Sequence, residues 1–181
     1  MTERDVADEP VWRAIQTRRS VRDYLDRPLD DAHVERILRA GRRAASSKNQ
    51  QRRAFVVVRD RERLQALSKV GDYAAPLAGA AMGVALVTEE PTTAHAPLSV
   101  YFDVGQAADS MMLAAWEVGV GSVPITVYDQ GLIHDILALP ADRHCEFLVS
   151  FGYPADPTDL SRPPKPGGRL PLEELVHEER W

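Results

Sequence analysis

Thr17-Arg18-Arg19-Ser20-Val21-Arg22-Asp23-Tyr24 is the stretch from which the rest of this chain can be ordered. Arg18, Arg19, Ser20 and Arg22 put three guanidiniums and a hydroxyl within five residues, just where an apolar helical pattern stops. Guanidinium forks match phosphate oxygens bidentately, and a serine hydroxyl can add a short hydrogen bond. Converging after a helix, these groups form a plausible cradle for a dianionic phosphate. The stretch also fits a solvated cationic helix end, because cations are favoured near a helix C-terminus. Sequence further along the chain bears on the choice.

Before it, Pro10 to Thr17 reads as a short helix with Val11, Trp12 and Ile15 on one face and Pro10 in the first turn. After it, Asp26-Arg27-Pro28 signals a turn, and Asp30 or Asp31 can cap a second helix bearing Val34, Ile37, Leu38 and Gly41 at helical spacing. Gly41 on that face either permits close packing or weakens the helix. Ala44 to Gln51 is a polar break of small residues. It precedes Ala54 to Arg59, whose Phe55-Val56-Val57-Val58 reads as a buried strand. Asp60 caps a helix to about Val70, Gly71 to Ala78 is a loop holding Tyr73, and Ala80 to Thr88 is a second buried strand. Glu89 to Leu98, with His95, reads as a loop.

Asp103 to Val118 is the most apolar helix, with Asp103 as its candidate cap. Its apolar face is wider than a surface helix needs, which suggests either a core helix or a dimer interface. Gly119 and Gly121 end it, and Ser122 to Val127 follows as an extended segment. Leu132 to Leu137 marks a short helix, and Cys145 to Phe151 a further strand closed by Gly152-Tyr153-Pro154. Cys145 reads as a packing residue. From Pro154 to Pro171 there are six prolines in eighteen residues, too many for a helix or central strand. This arm holds Arg162, Lys165 and Arg169, and its anchors Leu170, Leu172, Leu175 and Val176 suit packing on something, a second subunit being one candidate.

The bulk properties bound the reading. With 181 residues the chain suits one domain with extensions. A formal net charge of −5 argues against a general nucleic-acid surface. Cys145 is the only cysteine, so an internal disulfide and a Cys/His zinc set are excluded. No apolar run reaches transmembrane length, and the acidic Met1 to Glu9 is unlike a signal peptide, so a cytoplasmic protein is expected. There is no GxGxxG after a strand, no P-loop, no nucleophile elbow, no HExxH and no carboxylate cluster. A protein without side-chain catalytic machinery suits chemistry done by a bound cofactor.

The chain resembles the nitroreductase family of flavoenzymes, from about Val11 to His177. Four pieces carry the resemblance in order: Arg18 to Tyr24 with Pro28-Leu29 behind it; Ala45-Ser46-Ser47-Lys48-Asn49-Gln50-Gln51 before the Phe-Val-Val-Val strand; the helix from Asp103 with Gly119-Val120-Gly121 and Pro124-Ile125; and Phe151-Gly152-Tyr153-Pro154 with Arg169-Leu170-Pro171-Leu172-Glu173-Glu174. The resemblance implies an α+β fold, with a mainly antiparallel central sheet wrapped by helices in an intertwined homodimer. Residues 1–9 would be a flexible N-terminus, 10–153 the flavin-binding domain and 154–181 an arm packing on the partner subunit. FMN would be the cofactor. Arg18, Arg19, Ser20 and Arg22 would hold its phosphate, ribityl chain and pyrimidine edge, and Arg169 would close on the phosphate. Ser46, Ser47 and Asn49 would reach it from the other subunit, and Pro124, Ile125 and Thr126 would lie against the isoalloxazine. No metal is implied.

The chain departs from the family pattern at several places. Ala45 stands for a common Pro, Arg52-Arg53 for Pro-Trp, Thr126-Val127 for an acidic residue and Gly, and Gly167 for a Lys that Lys165 could replace. The expected activity is ping-pong hydride transfer from NAD(P)H through FMN to a flat acceptor such as a nitroarene or quinone. The alternatives are an FMN-dependent dehydrogenase or oxidase, an oxygen-dependent flavin-fragmenting enzyme on the same scaffold, or a non-enzymatic flavin- or phosphate-binding dimer.

Overall fold

The structure, a computed structural model, describes residues 10–89, 98–163 and 167–181. The expectations for residues 1–9, His95 and Lys165 lie outside the described residues. The order of elements is α1 (Pro10–Thr17), α2 (Asp31–Arg43), β1 (Ala54–Val58), α3 (Arg61–Leu67), β2 (Met82–Glu89), α4 (Ser99–Glu117), β3 (Gly121–Thr126), α5 (Gln130–Leu137) and β4 (Arg143–Gly152). The four strands form one sheet in the order β1-β2-β4-β3, and every pairing is antiparallel. The expected α+β fold with a mainly antiparallel central sheet is therefore what the chain forms.

Side chains alternate across a strand, and here that alternation builds two cores. On one face Val84 and Leu86 of β2 and Val149 and Phe151 of β4 meet Val34 and Ile37 of α2 and Val104, Met111 and Ala115 of α4. On the other face Ala85, Val87, Ile125 and Leu148 meet Leu64 and Leu67 of α3 and Ile133 of α5. β2 is buried along all but its last residue because helices cover both of its faces. Gly41 lets α2 approach α4: a Cβ there would lie 2.0 Å from Met111 Cε. Close packing is thus the role of that glycine.

Three readings change. β1 is not a buried strand: it lies at the sheet edge, only Val58 is buried, and Val57 is 37% exposed. α3 ends at Leu67, three residues before Val70, although Asp60 caps it as expected by accepting from Arg63 N at 3.0 Å. α4 begins at Ser99, so Asp103 lies inside it and is no cap.

Between α1 and α2 the chain runs extended against the sheet. Val21 N donates to Ser122 O at 3.0 Å, Leu25 N to Tyr153 O at 2.8 Å, and Ala155 N to Asp23 O at 3.0 Å. The Tyr24 hydroxyl bonds Val21 O at 2.7 Å and Ser150 Oγ at 2.8 Å. Burial pushes its phenol far above the ordinary value, so it stays neutral at any physiological pH. This close approach requires two glycines. A Cβ on Gly121 would lie 2.6 Å from Val21 Cβ, and one on Gly152 would lie 2.7 Å from the Tyr24 ring.

Two outcomes follow. Gly152→Ala forces the Tyr24 ring off its site and should cost about 1–3 kcal/mol; a melting temperature equal to wild type would sink this account of the clamp. Cys145 is fully buried, and burial pushes its thiol up to about 12. An aromatic disulfide reagent at pH 8 should therefore titrate no thiol in the native protein and one after denaturation.

Candidate functional site

The extended run after α1 brings two expected site segments together. Ser20 forms a parallel bridge with Ser122, so the arginine stretch lies along the outer edge of β3. Val21 N reaches Ser122 O from outside, while Val127 N donates inward to Glu146 O at 2.9 Å. Backbone groups alternate along a strand, so Ser122, Pro124 and Thr126 turn theirs to the open edge, and Val123 and Ile125 turn theirs to β4. Pro124 is exposed there and has no N–H to leave unpaired, which is where a strand tolerates proline. Thr126 N–H then points outward beyond it. Ile125 is 2% exposed with its side chain in the core on the α3 and α5 side. With its backbone groups turned to β4 as well, Ile125 offers a ligand at the edge neither side chain nor main-chain hydrogen bond.

The cations differ in how free they are. Arg18 is half-buried against α4, with Nη2 3.2 Å from Asp109 Oδ1 and Nη1 3.7 Å from Met112 Sδ. Arg19 folds back over the end of α1, and its Nη1 donates to Gln16 O at 2.6 Å and Arg18 O at 2.9 Å. Its Nε is buried with no acceptor. A buried guanidinium N–H without a partner is costly, so it marks a place where an acceptor would be stabilising. Arg22 is exposed, and no carboxylate among the described residues pairs with it.

The polar loop before β1 is organised from outside. Ser47 N donates to both carboxylate oxygens of Asp103, at 3.1 and 2.9 Å, and Asp103 is only 6% exposed. Ser46 Oγ accepts from Gln51 N at 3.1 Å, and Asn49 Oδ1 accepts from Gln51 Nε2 at 3.2 Å. Lys48, Asn49 and Gln51 all have positive φ, at 51°, 55° and 52°. Three non-glycine residues in that region of backbone space indicate a strained loop held in shape by its surroundings. Asp103 is one holder. Arg53 is another, reaching Ala45 O at 3.1 Å and Ala44 O.

Arg169 does not join the arginine stretch. It is exposed, and its Nη1 donates to the neighbouring Gly168 O at 3.0 Å. The arginine of the arm that does reach it is Arg162, whose Nη2 donates to Ser20 O at 3.0 Å. The first part of the arm is fastened to its own chain, since Pro154 bridges Tyr24 and Trp116 Nε1 donates to Leu160 O at 3.0 Å. In sequence Arg162 is one of three cations in the arm with nothing to distinguish it, and Asp103 fits a cap because it stands ahead of an apolar run. The apolar run itself gave no sign that α4 starts four residues earlier.

The nitroreductase family profile matches residues 15–88 and 72–153. A protein of Archaeoglobus fulgidus, provisionally named as an NADH dehydrogenase/NAD(P)H nitroreductase, is 32% identical over 178 residues, covering 96% of this chain and 99% of its own. Among solved structures, the NADPH:FMN oxidoreductase of Vibrio harveyi complexed with NAD+ superposes with a TM-score of 0.84 at 25% identity, covering 96% of this chain and 78% of that one. An FMN-dependent nitroreductase of Clostridium difficile gives a TM-score of 0.79 at 25% identity, covering 93% of this chain and 98% of that one. The strand order, the arginine stretch along β3 and these likenesses agree: the chain belongs to the nitroreductase family.

Proposed function

We propose that this chain is an NAD(P)H-dependent oxidoreductase that binds FMN between the Arg18–Arg22 stretch and the open edge of β3, and reduces a flat acceptor such as a nitroarene or quinone by a ping-pong route. The observation that carries the reading is the buried, unpartnered Arg19 Nε beside exposed Arg22 and the Ser20–Ser122 bridge. An anion there would accept from groups that otherwise have too few acceptors. The donor set fits a phosphate, and the edge beyond it, with exposed Pro124 and the outward Thr126 N–H, fits a planar ring.

When bound, FMN would supply the hydride relay between the nicotinamide and the acceptor. The chain's own residues would bind, orient and stabilise charge. Arg18, Arg19, Ser20 and Arg22 would hold the phosphate, ribityl chain and pyrimidine edge, with Arg22 as the cation nearest developing negative charge on the ring. Pro124 would set the stacking plane, and the Thr126 main chain would donate to the ring edge. Arg169 would close on the phosphate only after moving from its present contact with Gly168.

A homodimer is part of the proposal. The apolar face of α1 is uncovered, with Val11, Trp12 and Ile15 all exposed, and a groove of about 590 Å³ runs between α1 and the Leu113–Glu117 end of α4. Phe102 on α4 is 71% exposed, and Leu172 and Leu175 of the arm are exposed as well. So much uncovered apolar surface suits an interface. A second copy would bring Ser46, Ser47 and Asn49 to the flavin from across that interface.

The reading is tested by the absorption spectrum of the purified protein from 300 to 550 nm, before and after NADH or NADPH is added without oxygen. Flavin bands that bleach and return on adding a quinone are expected. Bands that persist with both nicotinamides would redirect the assignment to a dehydrogenase or oxidase on this scaffold. Failure to bind added FMN would remove the cofactor from the proposal. Asp103→Asn should loosen the Ser46–Asn49 loop and raise the FMN dissociation constant about tenfold, in line with the 1.5–3 kcal/mol typical of a charged hydrogen bond, with little change in far-UV circular dichroism. Unchanged flavin affinity would show that the loop does not serve the site.

A further inference from the structure

We propose that Arg162 is a phosphate-binding residue of the flavin site, delivered by the first turn of the C-terminal arm. This rests on the flavin reading above and assigns a residue that the reading did not include.

The arm leaves β4 at Gly152 and turns back over its own subunit. Pro154 bridges Tyr24, and Ala155 N donates to Asp23 O at 3.0 Å. Asp156 then caps a single 3₁₀ turn, Pro157–Leu160, accepting from Thr158 N at 2.9 Å and Thr158 Oγ1 at 2.8 Å. Trp116 Nε1 pins Leu160 O to the end of α4. Two residues on, Arg162 pairs with Asp159 through Nη1 and donates to Ser20 O through Nη2 at 3.0 Å. The guanidinium is therefore anchored at both ends of a short, proline-stiffened path.

Its position matters more than its charge. Ser20 stands between Arg19, whose Nε is buried without an acceptor, and exposed Arg22. A guanidinium lying on the Ser20 carbonyl adds a cation to this stretch, where Arg18 is already engaged by Asp109. Arg162 and Arg18 each have a carboxylate, Asp159 and Asp109, but Arg19 Nε has no acceptor and Arg22 pairs with no carboxylate among the described residues, so an anion there would still find donors. Nη1 and Nη2 of Arg162 use two of the group's five N–H donors, so others remain for a ligand. Its side chain is 45% exposed, open to a ligand from solvent. A phosphate carrying close to two negative charges has the geometry to accept from such a fork.

The rival account makes Arg162 a strap that merely fastens the arm to the arginine stretch. The two differ in which part of the ligand they affect. FMN and riboflavin share ring and ribityl chain and differ in the phosphate, so titrating each into flavin-free protein and following quenching of flavin fluorescence separates them. The wild-type chain should prefer FMN. Arg162→Gln should weaken FMN about ten- to a hundredfold and leave riboflavin unchanged, and Arg162→Lys should recover part of the loss. An equal loss for both flavins, or an unchanged preference for FMN, would overturn the proposal in favour of the strap. If Arg162→Gln does not fold, Arg162→Lys keeps the charge and loses the fork, and a reduced FMN preference in that variant alone is the expected result. Wild-type protein that binds neither flavin would instead remove the flavin site itself. A failure at Arg162 is thus distinct from a failure of the site.

Discussion

The packing of Val21 and Tyr24 onto the bare backbones of Gly121 and Gly152 is the contact on which the rest of the site depends. Any Cβ at either glycine would occupy space that those side chains already fill. Because the space is free, the chain after α1 can run beside β3 with its backbone paired to Ser122, Tyr153 and Ala155. The Tyr24 hydroxyl then ties it to Val21 O and Ser150 Oγ. Ser20 and Arg22 are thereby carried on extended backbone, while Arg18, whose amide still bonds Ala14 O, and Arg19 close the end of α1. The stretch therefore begins at a helix end and passes onto the sheet edge, which a freely solvated cationic terminus would not do.

Much of this could be read from the sequence, for identifiable reasons. Hydrophobic periodicity and caps located α1, α2, α5 and β2 to within a few residues, because their burial follows the local pattern. Asp60 declared itself as a cap. The arginine stretch and the Pro124-Ile125 segment were recognisable as candidate site pieces, and the fold does bring them side by side. What was hidden is what depends on partners far away in sequence. Phe55 to Val58 is as apolar as a central strand, but its place at the edge depends on how four strands order themselves. Asp103 looks like a cap until the start of α4 is known, and only then is it free to hold the Ser47 amide across 56 residues. Ile125 sits beside Pro124 in sequence, yet strand alternation sends its side chain to the opposite core. Arg162 was one of three cations in an arm, and only tertiary structure shows which of them turns back onto Ser20.

The arm itself divides at about that point. Composition groups Pro154 to Trp181, with six prolines up to Pro171 and charged residues throughout. Its hydrogen bonds split it. Residues up to Arg162 are tied to Tyr24, Asp23, Trp116 and Ser20 of the same chain, whereas Leu170, Leu172, Leu175 and Val176 present apolar surface outward. The first half completes the surroundings of the arginine stretch, and the second half carries surface suited to being covered.

The two edges of the sheet have different capacities for adding backbone. Along β3, the outward carbonyl of Ser122 already accepts from Val21 N, and the next outward position is a proline with no donor to give. An incoming strand would find its ladder interrupted twice in three outward positions, so this edge resists β-addition while staying open to a flat molecule. Along β1, outward amides and carbonyls run from Ala54 to Val58 without a proline. The two margins therefore differ chemically: the β3 edge offers an incoming strand an interrupted ladder, and the β1 edge an unbroken one.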